Sequence, residues 1–138
     1  MPDTITHRIT VNLIPPAGPE VPVRTIFSYT PDDPYAVRIR FHTGARGWVD
    51  WEAARLLLEE ALVLDAAGDG DVHFERAFRR GAPDTRMLLD VTSDTGTARF
   101  AIDVDELATF LDASHQLVPA GTEPTRCTPP DTTQKFTT

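Results

Sequence analysis

Two stretches of the chain share one plan, and this repetition restricts the possible folds more than any other feature. Residues 37–62 and 88–117 each contain a strand, a turn with glycine, a second strand, an acidic residue and an amphipathic helix. Val37, Ile39 and Phe41 alternate with polar residues, which is the period of a half-buried strand. Two such units predict an α+β fold, in which two packed antiparallel β-sheets are accompanied by two amphipathic helices.

Acidic residues mark the predicted starts of both helices. Asp50 is expected to cap the first helix, in which Trp51 and Ala54 begin an apolar stripe at helical spacing. Asp103 and Glu106 precede the second helix and stand three positions apart, as in a capping box with Asp as the cap. Both helices are therefore predicted to begin directly after a strand.

Further β-rich runs occupy residues 5–13, 21–29 and 71–78, and each is predicted to form a strand. Residues 79–85 are predicted to form a loop. The length of 138 residues suits a single domain. We expect that domain to span residues 1–118, and we expect the Pro/Thr-rich residues 119–138 to form an extended or disordered tail.

The charge balance restricts the partners that the chain can attract. With 21 acidic and 13 basic side chains, the formal charge is −8. This charge repels phosphate backbones and anionic lipid surfaces, which makes general nucleic-acid binding unfavourable. The single cysteine, Cys127, indicates a reducing compartment. Because the chain also lacks a signal-like start and an apolar run of membrane-spanning length, a cytoplasmic protein without membrane insertion is predicted.

The residues that usually carry catalysis or metal binding lack the required spacing. The four histidines lie on separate predicted elements, without the short spacings of metal-ligand pairs. Asp69 and Asp71 resemble the start of a calcium loop, but Arg80 stands where the twelfth position needs Glu. No serine lies in a Gly-x-Ser-x-Gly turn. The sequence therefore predicts a protein that is not an enzyme and needs no cofactor or metal.

One predicted strand face is basic. Arg38, Arg40 and His42 alternate with apolar residues and form a row that could follow a single strand of nucleic acid. The same row could equally be a solvated sheet face or a contact between subunits. Trp48 and Trp51, which flank the predicted helix start, are compatible with core packing or with an exposed protein contact.

Several short motifs occur in an order and at separations that resemble the SsgA-like family of actinobacterial sporulation and cell-division proteins. The first is Asp32-Asp-Pro34 followed by Tyr35-Ala-Val37, and the second is Phe41-His-Thr-Gly44. Trp48-Val-Asp-Trp51 and Ala54-Arg-Leu-Leu57 follow, and Val118-Pro-Ala-Gly-Thr-Glu123 closes the match. The resemblance covers residues 11–123.

The resemblance implies a fold similar to the Whirly proteins, which bind single-stranded nucleic acid, with helices packed between copies, often in a trimer. It also implies selection of the septum site in sporulation-specific cell division. In this role the protein would concentrate at the division septum, recruit the tubulin-like division protein FtsZ or support its assembly, and contact other SsgA-like proteins. In its compact length the chain is most similar to the septum-site member of the family, which contacts FtsZ. A single-stranded nucleic-acid-binding module is the alternative function.

Two sets of contact residues follow from these predictions. The partner-facing set is Glu52, Arg55 and Glu59, which would share the polar face of the first helix at positions i, i+3 and i+7. The second set lies on the apolar stripe of the second helix, where a homotrimer is expected to share side chains between the core and a neighbouring subunit: Leu107, Phe110 and Leu111.

Overall fold

The computed structural model describes residues 4–42, 47–79, 81–119 and 121–122. These residues form two helices, α1 and α2, and the strands β1 to β10. In chain order the elements are β1 (Ile5–Arg8), β2 (Val11–Ile14), β3 (Val21–Val23), β4 (Thr25–Tyr29), β5 (Ala36–His42), β6 (Trp48–Ala54), α1 (Arg55–Leu64), β7 (Ala66–Asp69), β8 (Val72–Arg79), β9 (Ala82–Ser93), β10 (Gly96–Asp103) and α2 (Val104–Leu117).

The strands form two sheets. One has four strands in the order β1-β4-β5-β6, and the other has six in the order β3-β2-β10-β9-β8-β7. All neighbours in both sheets are antiparallel. The repeated unit appears once in each sheet, as β5-β6-α1 and as β9-β10-α2. The predicted α+β fold with two antiparallel sheets and two helices is confirmed.

The two N-terminal runs are each divided between the sheets. The chain leaves the four-stranded sheet after β1 and enters the six-stranded sheet at β2. At this bend the Ile9 amide donates to the Thr25 carbonyl over 3.2 Å, and the Thr10 carbonyl accepts from the Asp103 amide over 3.2 Å. The run 21–29 is likewise divided into β3 and β4. A bend lets one run serve both sheets, a division that alternation alone does not predict.

The core lies between the two sheets and beneath α2. Phe41 of β5 stacks on Phe100 of β10 with ring centroids 4.4 Å apart. Phe110 of α2 meets the edge of Phe27 at 5.7 Å. Leu107, Phe110 and Leu111 are buried within the single chain. The prediction that these three residues contact a neighbouring subunit is therefore wrong, because the core of one copy already uses the whole apolar stripe of α2.

The first helix begins four residues later than predicted. Residues 48–54 form strand β6 instead of the start of a helix. They pair with β5 along their whole length, from His42 opposite Trp48 to Ala36 opposite Ala54. Ala54 occupies the cap position without a side-chain hydrogen bond, and the Arg55 amide donates instead to the Tyr35 carbonyl over 2.7 Å. The predicted cap at Asp50 is wrong, because that carboxylate pairs across the sheet with Arg40.

The second helix begins as predicted. The Asp103 side chain accepts from the Glu106 amide over 2.9 Å, which satisfies one of the free amides of the first turn. In a complete capping box the Glu106 side chain would also accept a hydrogen bond from the Asp103 amide, and this pair does not form that second bond. The Glu106 side chain instead accepts from the Thr10 amide over 2.8 Å, so it fastens the helix start to the bend between β1 and β2.

Residue 79 and residues 82–85 lie in the strands of a hairpin, where a loop was predicted over residues 79–85, and residue 80 lies outside the described residues. β8 extends to Arg79 and β9 starts at Ala82, with Arg79 opposite Ala82. A shift of register between Arg76 and Phe78 allows this extension. β7, which was not predicted, pairs with β8 after α1.

The domain boundary stays a prediction. Val118, at the end of α2, is buried, and residues from 123 onward lie outside the described part of the chain. Neither of the two described helices is long and apolar enough to cross a bilayer.

Candidate protein-interaction surfaces

The three residues predicted to face a partner do not share a helix face. Glu52 lies on β6, where its carboxylate is 3.5 Å from the Arg38 guanidinium. Arg55 opens α1 but is only 1% exposed. Glu59 is half-buried. Their proposed common surface is therefore wrong in its geometry, because α1 starts at Arg55 and turns that side chain inward.

Arg55 ties the start of α1 to the end of α2. One guanidinium nitrogen donates to the Ser114 carbonyl over 3.1 Å and to the Val118 carbonyl over 2.8 Å. The guanidinium carbon lies 4.9 Å from the centre of the Tyr29 ring, which is within cation–π range. A buried cation is tolerated only where such hydrogen-bond acceptors and an aromatic partner compensate for the water that it has lost. Arg55 is thus a structural residue.

Glu59 belongs to the same cluster. Its Oε1 lies 3.9 Å from the Arg55 Nε and is hydrogen-bonded to His115 Nε2 on α2. Two helices that are distant in sequence are therefore joined by polar contacts around a buried cation. These contacts fix which side of α1 faces solvent.

The solvent-facing side of α1 is mostly apolar, although it also carries the exposed, charged Glu60. Leu56, Val63 and Leu64 are 63%, 78% and 68% exposed. The opposite side of the helix is also apolar, since Leu58 and Ala61 are fully buried. A helix that carries large apolar side chains on both its inner and its outer side is normally covered on both sides. We name the set Leu56, Val63 and Leu64 the α1 outer face.

The second helix provides an internal comparison. Its exposed positions include Asp105, Thr109, Asp112 and Gln116, which are polar. Both helices pack an apolar stripe on the same core, but only α2 presents an ordinary polar side to water. The α1 outer face is therefore a candidate contact surface. The sequence carried a signal for it, because every residue of α1 except Arg55, Glu59 and Glu60 is apolar.

The basic row of β5 is exposed but paired. Arg40 Nε donates to Asp50 Oδ1 over 2.8 Å, and Arg38 forms the ion pair with Glu52. The hydrogen bond from Arg40 holds the pKa of Asp50 below its usual value. His42 meets the ring of Trp48 edge-on, with centroids 4.9 Å apart. Carboxylates of the neighbouring strand thus offset the positive charge that would attract a phosphate backbone.

The two tryptophans lie on β6. Trp48 is 40% exposed, whereas Trp51 is half-buried and packs against the core. Across the described ranges no three His, Cys, Asp or Glu side chains gather as a metal ion would need.

Comparison with known proteins identifies relatives along most of the chain. The family described as the Streptomyces sporulation and cell division protein SsgA matches residues 23–123. The sporulation-specific cell division protein SsgB of Frankia casuarinae is 39% identical over 121 residues, covering 88% of this chain and 82% of that protein. SsgB of Streptomyces coelicolor is 33% identical over 125 residues, covering 89% and 88%.

Solved structures agree with these sequence matches. An SsgA-like sporulation-specific cell division protein from Thermobifida fusca superimposes with a TM-score of 0.81 at 34% identity, covering 91% of this chain and 89% of that one. A structure of SsgB, concerned with longitudinal cell division during sporulation of Streptomyces coelicolor, also gives 0.81 at 32% identity, covering 91% and 97%. The names of these relatives support a role in cell division. The chain belongs to the SsgA family of sporulation and cell-division proteins, as its motifs indicated.

Proposed function

We propose that this protein is a non-enzymatic adaptor in sporulation-specific cell division, which acts at the septum site by recruiting FtsZ or supporting its assembly. The proposal is supported by membership of the SsgA family and by the α1 outer face. This face exposes three large apolar side chains on one helix, and surfaces of this kind usually mark protein contacts. The protein would concentrate at the division septum through its partner.

The occupant that we propose for the α1 outer face is a second copy of the chain. The family resemblance implies helices packed between copies, often as a trimer, and α1 is the helix that keeps apolar side chains for such a contact. Three copies would present three identical sites to a filament that repeats its own site. Linked weak sites of this kind can raise overall affinity by about 10²–10⁴-fold without a new contact.

The oligomer is tested by light scattering at micromolar concentration. We expect a mass of three chains for the wild type and a shift toward one chain for Val63→Glu, because the added charge would be buried against another copy. Gln116→Glu, the same charge on the exposed side of α2, is the matched control and should keep the mass. A wild-type mass of one chain would contradict the proposed trimer.

The partner is tested by co-sedimentation with polymerised FtsZ. Wild type and Gln116→Glu should pellet with the filaments, and Val63→Glu should bind at least about tenfold more weakly, since avidity is lost. Wild-type protein that stays in the supernatant beside intact filaments would refute the FtsZ role. A titration with single-stranded DNA at physiological salt is the parallel arm, and we expect no tight binding, because Arg38 and Arg40 are already paired.

A further inference from the structure

β6 is an edge strand with one hydrogen-bonding side open. It is the last strand of the four-stranded sheet, and within the described residues it pairs only with β5. The opposite edge, β1, has four residues, whereas β6 has seven. A long edge strand carries amide and carbonyl groups that can pair with another strand. β6 is therefore the longer of the two available edges of this sheet.

An apolar cleft lies on the inner side of that edge. Val49 and Trp51 point from β6 toward the other sheet and line a cleft of about 360 Å³. Across the cleft stand Val91 of β9, and Ala98 and Phe100 of β10. Val49 is 38% exposed, so the cleft is open to solvent. Side chains from a strand added beside β6 would reach this space at every second residue.

The outer side of the same edge carries two carboxylates, whose charge the arginines of β5 partly offset. Asp50 and Glu52 alternate with the inward residues, and their side chains are 45% and 35% exposed. Each contacts an arginine on the β5 side, but an ionised carboxylate has about four acceptor positions. Both can therefore accept from a basic side chain on a new strand as well. Directly opposite residues on neighbouring strands have Cβ atoms about 5 Å apart, close enough for such pairs.

We propose that β6 binds an extended peptide as a fifth strand of the sheet. The peptide would alternate apolar side chains, which enter the cleft, with lysine or arginine side chains, which lie opposite Asp50 and Glu52. Main-chain hydrogen bonds would supply affinity, and the alternating side chains would supply specificity. This inference goes beyond the proposed function, because it names a recognition mode that is independent of which division protein is the partner.

A second copy fits this edge less well than a basic peptide. Antiparallel pairing of two β6 strands about their centre places Asp50 of one copy opposite Glu52 of the other. Like charges directly opposite each other on neighbouring strands are destabilising. The charge of the edge therefore favours a basic partner strand over self-association.

The test uses the full chain and a fluorescein-labelled nine-residue peptide of alternating valine and lysine, followed by anisotropy. We expect saturable binding at least about tenfold tighter than that of the matched valine–glutamate peptide, a difference of about 1.4 kcal/mol. The double variant Asp50→Lys/Glu52→Lys should reverse this preference. N-methylation of the alternate amides that face β6 should abolish binding, whereas N-methylation of the other amides should leave it within about twofold.

Two point variants separate the cleft from general surface effects. Val49→Lys places a charge in the cleft and should abolish peptide binding with an unchanged circular dichroism spectrum. Val21→Lys, an exposed valine on β3 of the other sheet, is the control and should bind as wild type. Equal binding of both peptides, or insensitivity to N-methylation, would overturn the proposal.

The same experiments distinguish the other occupants. If Val49→Lys lowers the light-scattering mass, a second copy covers the edge and the peptide proposal is overturned. If peptide binds only after residues 123–138 are deleted, the chain's own tail covers the edge and the proposal is likewise overturned. We expect neither result. Because none of these measurements includes FtsZ, they succeed or fail independently of the proposed adaptor role.

Discussion

Replacing the buried Arg55 with alanine should be among the most damaging single changes in this protein. The side chain is 1% exposed and donates to the carbonyls of Ser114 and Val118. Hydrogen bonds from a charged group contribute about 1.5–3 kcal/mol each. The Ser114 carbonyl keeps a bond from the Val118 amide at 2.8 Å, but the Val118 carbonyl loses the donor at 2.8 Å. We therefore expect Arg55→Ala to lower the unfolding free energy by about 3–5 kcal/mol.

The stability lost in Arg55→Ala should be concentrated in one part of the structure. Urea denaturation gives the total, and hydrogen exchange in the folded state reports where protection is lost. We expect faster exchange in the last turn of α2, around residues 114–118, because Arg55 holds those carbonyls. Arg38→Ala is the matched control: it removes an exposed arginine whose ion pair with Glu52 spans 3.5 Å, and exposed pairs contribute at most about 1 kcal/mol.

Arg55→Met tests whether the charge or the volume matters. Methionine fills part of the space without donating hydrogen bonds, and replacing a buried charge with an apolar side chain is often nearly neutral when its partners can adjust. We expect Met to recover less than half of the alanine loss, because the Val118 carbonyl stays without this donor. An alanine variant within about 1 kcal/mol of wild type would refute the role assigned to Arg55.

Three further changes probe the core, the charge pairs and the C-terminal end. Phe110→Ala should lower the unfolding free energy measured in urea by about 3–5 kcal/mol and leave the light-scattering mass unchanged, because the ring is fully buried in one copy. A changed mass with unchanged stability would instead show that the ring lies in an interface between copies. Two hydrogen bonds from Arg99, at 2.8 and 2.9 Å, hold the pKa of Asp90 below its usual value of about 3.9. The stability from this pair is therefore present above about pH 4 and lost at lower pH. Asp90→Asn should be less stable than wild type at pH 7 and should lose less stability between about pH 4 and 2. Urea unfolding at each pH measures both differences. Truncation after residue 123 should change the melting temperature by no more than about 4 °C, whereas truncation after residue 117 also removes the buried Val118 and should lower it by at least about 8 °C.

The parts of the fold that depend on local sequence were predictable. The alternation of residues 37–41 predicted β5, and the cap at Asp103 was confirmed because the side chain that accepts and the Glu106 amide that donates lie within one turn. The cap at Asp50 was equally plausible by the same local rules. It failed because Arg40, ten positions away, recruits the carboxylate across the sheet and keeps residues 48–54 in a strand.

The contact surfaces were harder to predict for a physical reason. A helix with large apolar residues on both its inner and its outer side gives no clear period that distinguishes the buried from the exposed face. That choice depends on Arg55, whose acceptors come from α2. The apolar stripe of α2 was recognised, but its burial within one copy depends on Phe27 and on the sheets around it. Excluding a contact between that stripe and a neighbouring subunit required tertiary information that the sequence pattern lacked.

The long-range anchoring of Arg55 also has a consequence for synthesis on the ribosome. The atoms that accept its hydrogen bonds belong to residues 59 and 63 positions later in the chain. At about 5–20 residues per second, they are made roughly 3 to 13 seconds after Arg55 itself. During that interval the nascent first unit carries Arg55 without its acceptors on α2, and an apolar helix with neither side covered. The second unit therefore completes the first, and a chain stalled before residue 118 should be a substrate for chaperones.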